Sequence, residues 1–256
     1  MLLAYTRAVS PALADCELTH LERTPIDVSR AADEHAAYEA RLASLGALIR
    51  RLPAEADLPD AVFVEDTALV LDEVAVVTRP GAPSRRGETQ SVAAALAPHR
   101  PLRWIEEPGT MDGGDLLATT GRRVYVGLSS RTNAEAIGQL ARLLAPWSYT
   151  VIPVEFGGCL HLKSAATEVR DDLMLLNPDW LDPAVFLHHR AVRVDPDEAH
   201  AANALALAGQ VIHPAHHPLT RRRLEAEGLR VSPLEMAELA KAEAGVTCCS
   251  LLVRAA

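Results

Sequence analysis

The chain has 256 residues, 49% of them hydrophobic, enough to bury a large core in one domain of repeat or barrel type or in two small ones. Lys and Arg number 25 against 34 Asp and Glu, and the net charge of −9 disfavours nucleic acid, which is gripped by clustered cations, while it mildly suits a cationic small molecule. Cys16, Cys159, Cys248 and Cys249 lack structural-zinc spacing, residues 1–7 lack the basic and apolar stretches of a signal peptide, and no apolar run approaches the ~20 residues that span a bilayer. These features predict a soluble cytoplasmic protein with free thiols.

Residues 2–6 read as a first strand. Residues 29–50 carry apolar side chains at helical intervals, with Ser29 as the cap. From residue 64 a unit recurs: an apolar stretch, a short polar turn, a second apolar stretch, then often a helix. Its copies are residues 64–71 with 74–79, 114–118 with 124–127, 164–166 with 173–177, and 203–207 with 211–214. Residues 250–254 form a last half-unit, and the strand at 2–6 is its missing partner. Further helices are predicted at 88–96, ending before Pro98, and at 133–144, where Ile137, Leu140, Leu143 and Leu144 recur and Thr132 or Asn133 caps. Another is predicted at 219–227, stopped by Gly228. A period of roughly 40–50 residues predicts a propeller or similar array, its first and last strands side by side to remove exposed edges. No linker or charge block splits the chain, so residues 1–256 are read as one domain.

Several segments carry chemistry. Asp60, Glu65 and Asp66 flank an apolar Val62-Phe63-Val64 run. Read as a strand, this run puts Asp60, Val62 and Val64 on one face and Phe63 and Glu65 on the other. Carboxylates beside Phe63 are costly unless paired. Two loops, 79–88 and 127–133, place Arg85 and Arg131 after a strand and before a helix, and a planar guanidinium suits a carboxylate. Asp112 and Asp115 bracket Gly113-Gly114 at the mouth of a strand, where they bind a cation, orient a histidine or simply form an acidic turn. His161, after Gly157-Gly158, fits a strand end facing a cleft and a proton-transfer role, although a core histidine is the commoner fate. Cys248 and Cys249 follow Gly245 and precede the last strand. A thiol there is placed like a nucleophile, while a free cysteine is more often a small buried hydrophobe. His188-His189 and His213, His216 and His217 lack metal-ligand spacing and read as solvated loops, and Arg221-Arg222-Arg223 reads as the polar face of a short helix.

In combination these segments resemble the dimethylarginine dimethylaminohydrolase family, nearly end to end. The residues that carry the resemblance begin with Asp60, Val62-Phe63-Val64-Glu65-Asp66 and Thr78-Arg79-Pro80-Gly81-Ala82-Pro83-Ser84-Arg85-Arg86. Met111-Asp112-Gly113-Gly114-Asp115 and Ser130-Arg131-Thr132-Asn133 follow, then Leu160-His161-Leu162-Lys163-Ser164 and Thr247-Cys248-Cys249-Ser250. The resemblance implies an α/β fold, a five-bladed propeller of the pentein type with pseudo-fivefold ββαβ repeats. It implies hydrolysis of an N-omega-methylated arginine, asymmetric dimethylarginine or monomethylarginine, to citrulline and a methylamine through a covalent thiouronium.

In that scheme Cys248 is the nucleophile, because the family places it directly after Thr or Ser; strand alternation then points Cys249 away. His161 is the general acid and base and Asp112 its acidic partner. Asp60, Glu65 and Asp66 bind the cationic groups of the substrate, and Arg85 and Arg131 hold its α-carboxylate. Leu18, in a lid at residues 14–21, and the backbone of Ala242 complete the pocket. No cofactor or metal is implied, and the partner is a small molecule, bound by a monomer or homodimer without nucleic acid or membrane. Two rivals remain: a deiminase acting on arginine or another guanidino compound, and a non-catalytic propeller that binds a macromolecule. Arginine deiminases carry a helical insertion and an Asp where Lys163 stands here.

Overall fold

The computed structural model describes residues 1–254. In chain order the chain forms β1 (Leu2–Arg7), α1 (Val28–Ser44) and β2 (Ala47–Leu52), then β3 (Ala68–Val70), β4 (Ala75–Val77), α2 (Thr89–Leu96) and β5 (Leu102–Trp104). Next come β6 (Leu116–Thr119), β7 (Arg123–Leu128), α3 (Ala134–Leu144) and β8 (Thr150–Glu155). They are followed by α4 (Leu162–Ala165), β9 (Ala166–Arg170), β10 (Leu173–Leu176) and β11 (Arg190–Arg193). The last stretch holds β12 (Leu205–Leu207), β13 (Gln210–Pro214), α5 (Pro218–Ala226), β14 (Val231–Leu234), α6 (Ala237–Ala240) and β15 (Leu251–Arg254).

These strands make five three-stranded sheets of one pattern. Each has an antiparallel pair and a third strand parallel to the middle one: β3-β4-β5, β6-β7-β8, β9-β10-β11, β12-β13-β14 and β15-β1-β2. A parallel third strand needs a crossover, and a helix supplies it in every sheet except β9-β10-β11, where one 3₁₀ turn at Pro183–Val185 serves. The hairpins turn where the sequence allows it. Leu207 pairs with Gln210 across Ala208-Gly209, both at positive φ, the geometry a two-residue turn demands. The half-unit at the chain's end pairs with its partner, Leu2 opposite Arg254 and Tyr5 opposite Leu251.

Helix α3 shows why the periodic segments fold as they do. Asn133 caps it by accepting from the Ala136 amide, and Ala136, Ile137, Leu140 and Leu144 face the core. Full burial of Leu140 and Leu144 stabilises by about 1.5–3 kcal/mol each relative to exposure. The first predicted helix, 29–50, is too long at its C-terminal end. Asp27 rather than Ser29 is the cap, the helix ends at Ser44, Gly46 takes φ +92°, and residues 47–50 belong to strand β2.

The apolar runs ahead of three hairpins also differ from the strands expected. Val64–Thr67 and Gly113–Asp115 are 3₁₀ turns, and Leu162–Ala165 is one turn of helix. The strand-face alternation assigned to residues 60–65 therefore does not exist; the turn carries Glu65 and Asp66 together. The histidines expected in solvated loops are not all solvated either. His213 is fully buried with its Nε2 at 2.9 Å from the Ala201 carbonyl, and the side chain of the half-buried His189 is covered, with its Nε2 at 2.8 Å from Glu168. Arg221–Arg223 do lie on the short helix α5, where Arg223 pairs with Asp195. No helix among the described residues is long and apolar enough to cross a membrane.

Candidate active site

The turns that lead into the first strands of the sheets carry the polar groups. Cys248 sits in the tight turn ahead of β15, where its amide donates to the Gly245 carbonyl at 3.2 Å and the Gly245 amide approaches its Sγ at 3.3 Å. The Glu65 amide donates to the Cys248 carbonyl at 3.1 Å, so the cysteine turn and the 3₁₀ turn at Val64–Thr67 are locked together. Cys249 points into the apolar core beside Tyr38 and is fully buried. Cys248 lines the cavity and Cys249 does not, an arrangement set by a turn and not by strand alternation. Burial raises the Cys248 thiol well above its ordinary pKa, and the carboxylates of Glu65 and Asp66 push it further.

His161 is the residue that caps α4, extended at φ −131° rather than at a strand end. Asp115 pins it by accepting from the next amide, that of Leu162, at 2.9 Å. The ring lies between two carboxylates, with Nε2 at 3.1 Å from Asp112 Oδ2 and Nδ1 at 3.8 Å from Asp66 Oδ1. Burial alone would lower its pKa, but the Asp66 charge and the hydrogen bond to Asp112 prevail and lift it to about 9. Its charge thus stabilises the fold fully below pH 6.5, and that contribution is lost as pH rises through about 9. Such close packing needs glycine: a Cβ on Gly114 would stand 2.5 Å from His161 Nδ1, and one on Gly113 would stand 1.9 Å from the Glu65 carbonyl. In Asp112→Asn, NMR titration of the His161 ring is expected to show its pKa fall by about one unit or more. A titration that stays near 9 would refute the two-carboxylate account.

Arg85 organises the acids. Its Nη1 donates to Asp66 Oδ2 at 2.6 Å, and Nε and Nη2 form a two-pronged pair with Glu88 at 3.0 and 2.8 Å. The remaining bonds of Nη2 reach the Asp60 and Phe63 carbonyls, both at 3.3 Å. Burial would raise Asp66, but His161 and Arg85 outweigh it and hold the carboxyl at about 2. Burial pushes Glu88 up to about 7 against the pull of Arg85. Asp60 is also raised by burial, with Arg85 opposing.

One cavity, with about 310 Å³ of empty space counting its opening to solvent, collects most of the residues singled out in the sequence: Asp60, Asp66, Arg85, Arg131, His161, Ala242 and Cys248 all line it. Asp112 stands behind His161, fully buried, bonded to the Gly81 amide at 2.9 Å and 3.7 Å from Arg131. Two expected pocket residues do not reach the lining. Glu65 spends one oxygen on Lys163 Nζ at 2.6 Å and the other on the Thr247 hydroxyl at 2.7 Å, and Leu18 packs on the core around Leu13 and Cys16. Phe63, Leu160, Glu17, Glu243 and Ala244 also face the cavity. Glu243 and Ala244 carry no signal in the sequence, while Phe63 and Leu160 lie within the resembling motifs and Glu17 within the expected lid, none of the three with a role assigned there. Asp66, Asp112 and His161 offer ligand atoms within 4.8 Å of one another, the geometry of a metal site. Here those atoms serve one another, with Asp66 also held by Arg85 and the Gly114 amide and Asp112 by the Gly81 amide.

The model of the family described as arginine deiminase matches residues 55–195. The N(G),N(G)-dimethylarginine dimethylaminohydrolase of Streptomyces coelicolor is 36% identical over 98% of this chain and 96% of its own. A cysteine-to-serine variant of the Pseudomonas aeruginosa dimethylarginine dimethylaminohydrolase, solved with citrulline, superposes with a TM-score of 0.92 at 32% identity, covering 97% of this chain and 98% of its own. A dimethylarginine dimethylaminohydrolase adduct with S-methyl-L-thiocitrulline, in a histidine-to-glycine variant, gives a TM-score of 0.93 at 32% identity, covering 98% of this chain and 100% of its own. With an α/β fold, a cysteine, a histidine and an acid cluster meeting at one cavity, and relatives of this similarity along nearly its whole length, the chain belongs to the dimethylarginine dimethylaminohydrolase family of the amidinotransferase superfamily.

Proposed function

We propose that the chain hydrolyses N-omega-methylated arginine, asymmetric dimethylarginine or monomethylarginine, to citrulline and a methylamine. The observation that carries this reading is the meeting of Cys248, His161 and the Asp60–Asp66 pair at one cavity, in a chain whose similar P. aeruginosa structure holds citrulline. Asp60 and Asp66 position the guanidinium, whose carbon is a poor electrophile and must be held for attack. The arriving cation offsets the negative charges that keep the Cys248 proton on, and the thiol releases it to water. The thiolate attacks the guanidinium carbon, and protonated His161 gives its proton to the departing amine as the C–N bond breaks. The thiouronium left on sulfur is then attacked by water. His161 takes one proton from that water, the other passes to solvent, and the C–S bond breaks to release citrulline.

The supporting residues divide by what they still have to offer. Arg131 uses Nη2 only on the Thr19 hydroxyl at 3.2 Å and lines the cavity, so we assign it the substrate's α-carboxylate. Arg85, expected to share that task, is committed to Asp66 and Glu88 and contributes by fixing them. Glu65, tied to Lys163 and Thr247, steadies the nucleophile turn and leaves the cation to its neighbours. Asp112 orients His161, and Ala242 and Leu18 shape the pocket from its wall and from behind.

The same reading extends to the architecture. It takes the five sheets as blades of a single-domain, five-bladed propeller over residues 1–256, supported by their common strand order and by β15 lying against β3, β6 against β9 and β9 against β12. It places the protein in the cytoplasm as a monomer or homodimer without a cofactor, in keeping with four unpaired cysteines. Incubation with asymmetric dimethylarginine, monomethylarginine, arginine and agmatine tests the function. Citrulline and the methylamine are expected from the first two, with kcat/KM at least tenfold above that for arginine, on the order of one lost methyl contact plus one unpaired polar group. Equal or faster turnover of arginine or agmatine would overturn it.

A further inference from the structure

The segment that borders the cavity through Glu17 is held by many polar contacts. Between the 3₁₀ turn at Leu13–Asp15, anchored by the fully buried Leu13 and Cys16, and helix α1, residues 17–27 form no strand or helix, and most are exposed. Glu243, on the cavity wall, faces this stretch with its carboxylate. Its Oε1 accepts from the amides of Thr19 at 3.2 Å, His20 at 2.5 Å and Leu21 at 2.6 Å, and its Oε2 lies 3.2 Å from the Thr19 amide. Three consecutive N–H groups converging on one carboxylate form an anion-binding nest, here filled by the protein's own side chain. Glu243 adopts φ +58°, a left-handed conformation that costs a residue with a Cβ about 1–2 kcal/mol. Something must hold it there, and these bonds are what the structure offers.

We propose that Glu243 is the positioning residue that latches residues 19–21 over the substrate cavity. The latch joins the roof to the segment that leads into the Cys248 turn, so closing the cavity and presenting the thiol are coupled through one side chain. Arg131 adds a second tie through the Thr19 hydroxyl, and Glu17 a third by donating its amide to Asp60 at 3.1 Å and accepting from the Ser84 hydroxyl at 2.6 Å. Bonds of this kind, exposed and charge-assisted, can be exchanged for water at small cost, as a roof that admits a molecule requires. The link to catalysis rests on the proposed substrate site; the latch itself does not.

Hydrogen exchange separates the two. Glu243→Ala removes the carboxylate, Glu243→Gly removes it while accommodating the positive φ, and Glu243→Gln keeps one acceptor oxygen. In the alanine and glycine variants the Thr19, His20 and Leu21 amides are expected to exchange at least tenfold faster while Val124, Tyr125 and Val126 in β7 stay unchanged, with glutamine in between. KM for asymmetric dimethylarginine is expected to rise about tenfold in both, with kcat changed less than threefold. Unchanged exchange at residues 19–21 in the alanine and glycine variants overturns the latch. Faster exchange with KM unaltered overturns its role over the substrate. Absence of turnover by the unaltered protein would count against the hydrolase reading and leave the exchange result to decide the latch.

Discussion

Replacing Cys248 by serine is expected to abolish turnover, by more than a thousandfold in kcat, while asymmetric dimethylarginine still binds measurably by calorimetry. A serine hydroxyl at this site has no base able to ionise it. His161, lifted to about 9 by Asp66 and Asp112, is already protonated at neutral pH and gives protons rather than taking them before the amine departs. The binding groups are untouched, since Asp60, Asp66 and Arg131 reach the cavity from other turns. Cys249→Ser is the control. That side chain lies in the core beside Tyr38, so its loss costs stability, about 1–3 kcal/mol for a buried hydroxyl without an assured partner, and leaves the chemistry intact. Full activity in Cys248→Ser, or loss of activity in Cys249→Ser without loss of folding, would reverse the assignment of the two sulfurs.

Arg85→Met is expected to be the most destabilising change at the site. The substitution keeps much of the side chain's length and apolar stem but leaves Asp66 and Glu88, both buried, without their shared cation. Breaking a buried pair in this way costs about 3–5 kcal/mol, because the charges left behind have lost their compensation. The loss should be greater at pH 8 than at pH 6. Glu88, about 7 even beside Arg85, moves higher still without it and escapes the penalty below neutrality by taking a proton. Denaturant melts at the two pH values check this, and a loss below about 1 kcal/mol, the range of exposed ion pairs, would mean that the network is merely decorative.

The layout of the fold was largely legible because its repeat is written in local pattern. Apolar pairs of strands separated by short polar turns recur, and two of the helices between them are bounded as the sequence indicates, with Asn133 ahead of α3 and Gly228 after α5. Misreadings came where one pattern serves two structures. Ala47-Leu48-Ile49 continues a helical spacing and equally fits a strand, and only the break at Gly46 decides. Val62-Phe63-Val64 looks like a strand, yet the chain turns there so that Glu65 and Asp66 can meet partners 98 and 19 residues away. Cys248, His161 and Asp112 stood out through family-like motifs. Glu88 and Glu243 did not, because neither belongs to a motif and the amides that Glu243 grips lie more than 220 residues from it. Lys163 was noticed only for the acid it replaces; its clasp on Glu65 exists in space alone.

The pairing of β1 with β15 has a consequence for how the molecule comes into being. Four of the sheets are assembled from strands near one another in sequence, so each can collapse soon after it leaves the ribosome. The first sheet must wait for residue 254, and the sulfur of Cys248 is carried in by the same late strand. A nascent chain therefore owns its acids and imidazole before it owns a nucleophile, and its thiol meets them only once residues 251–254 have been made.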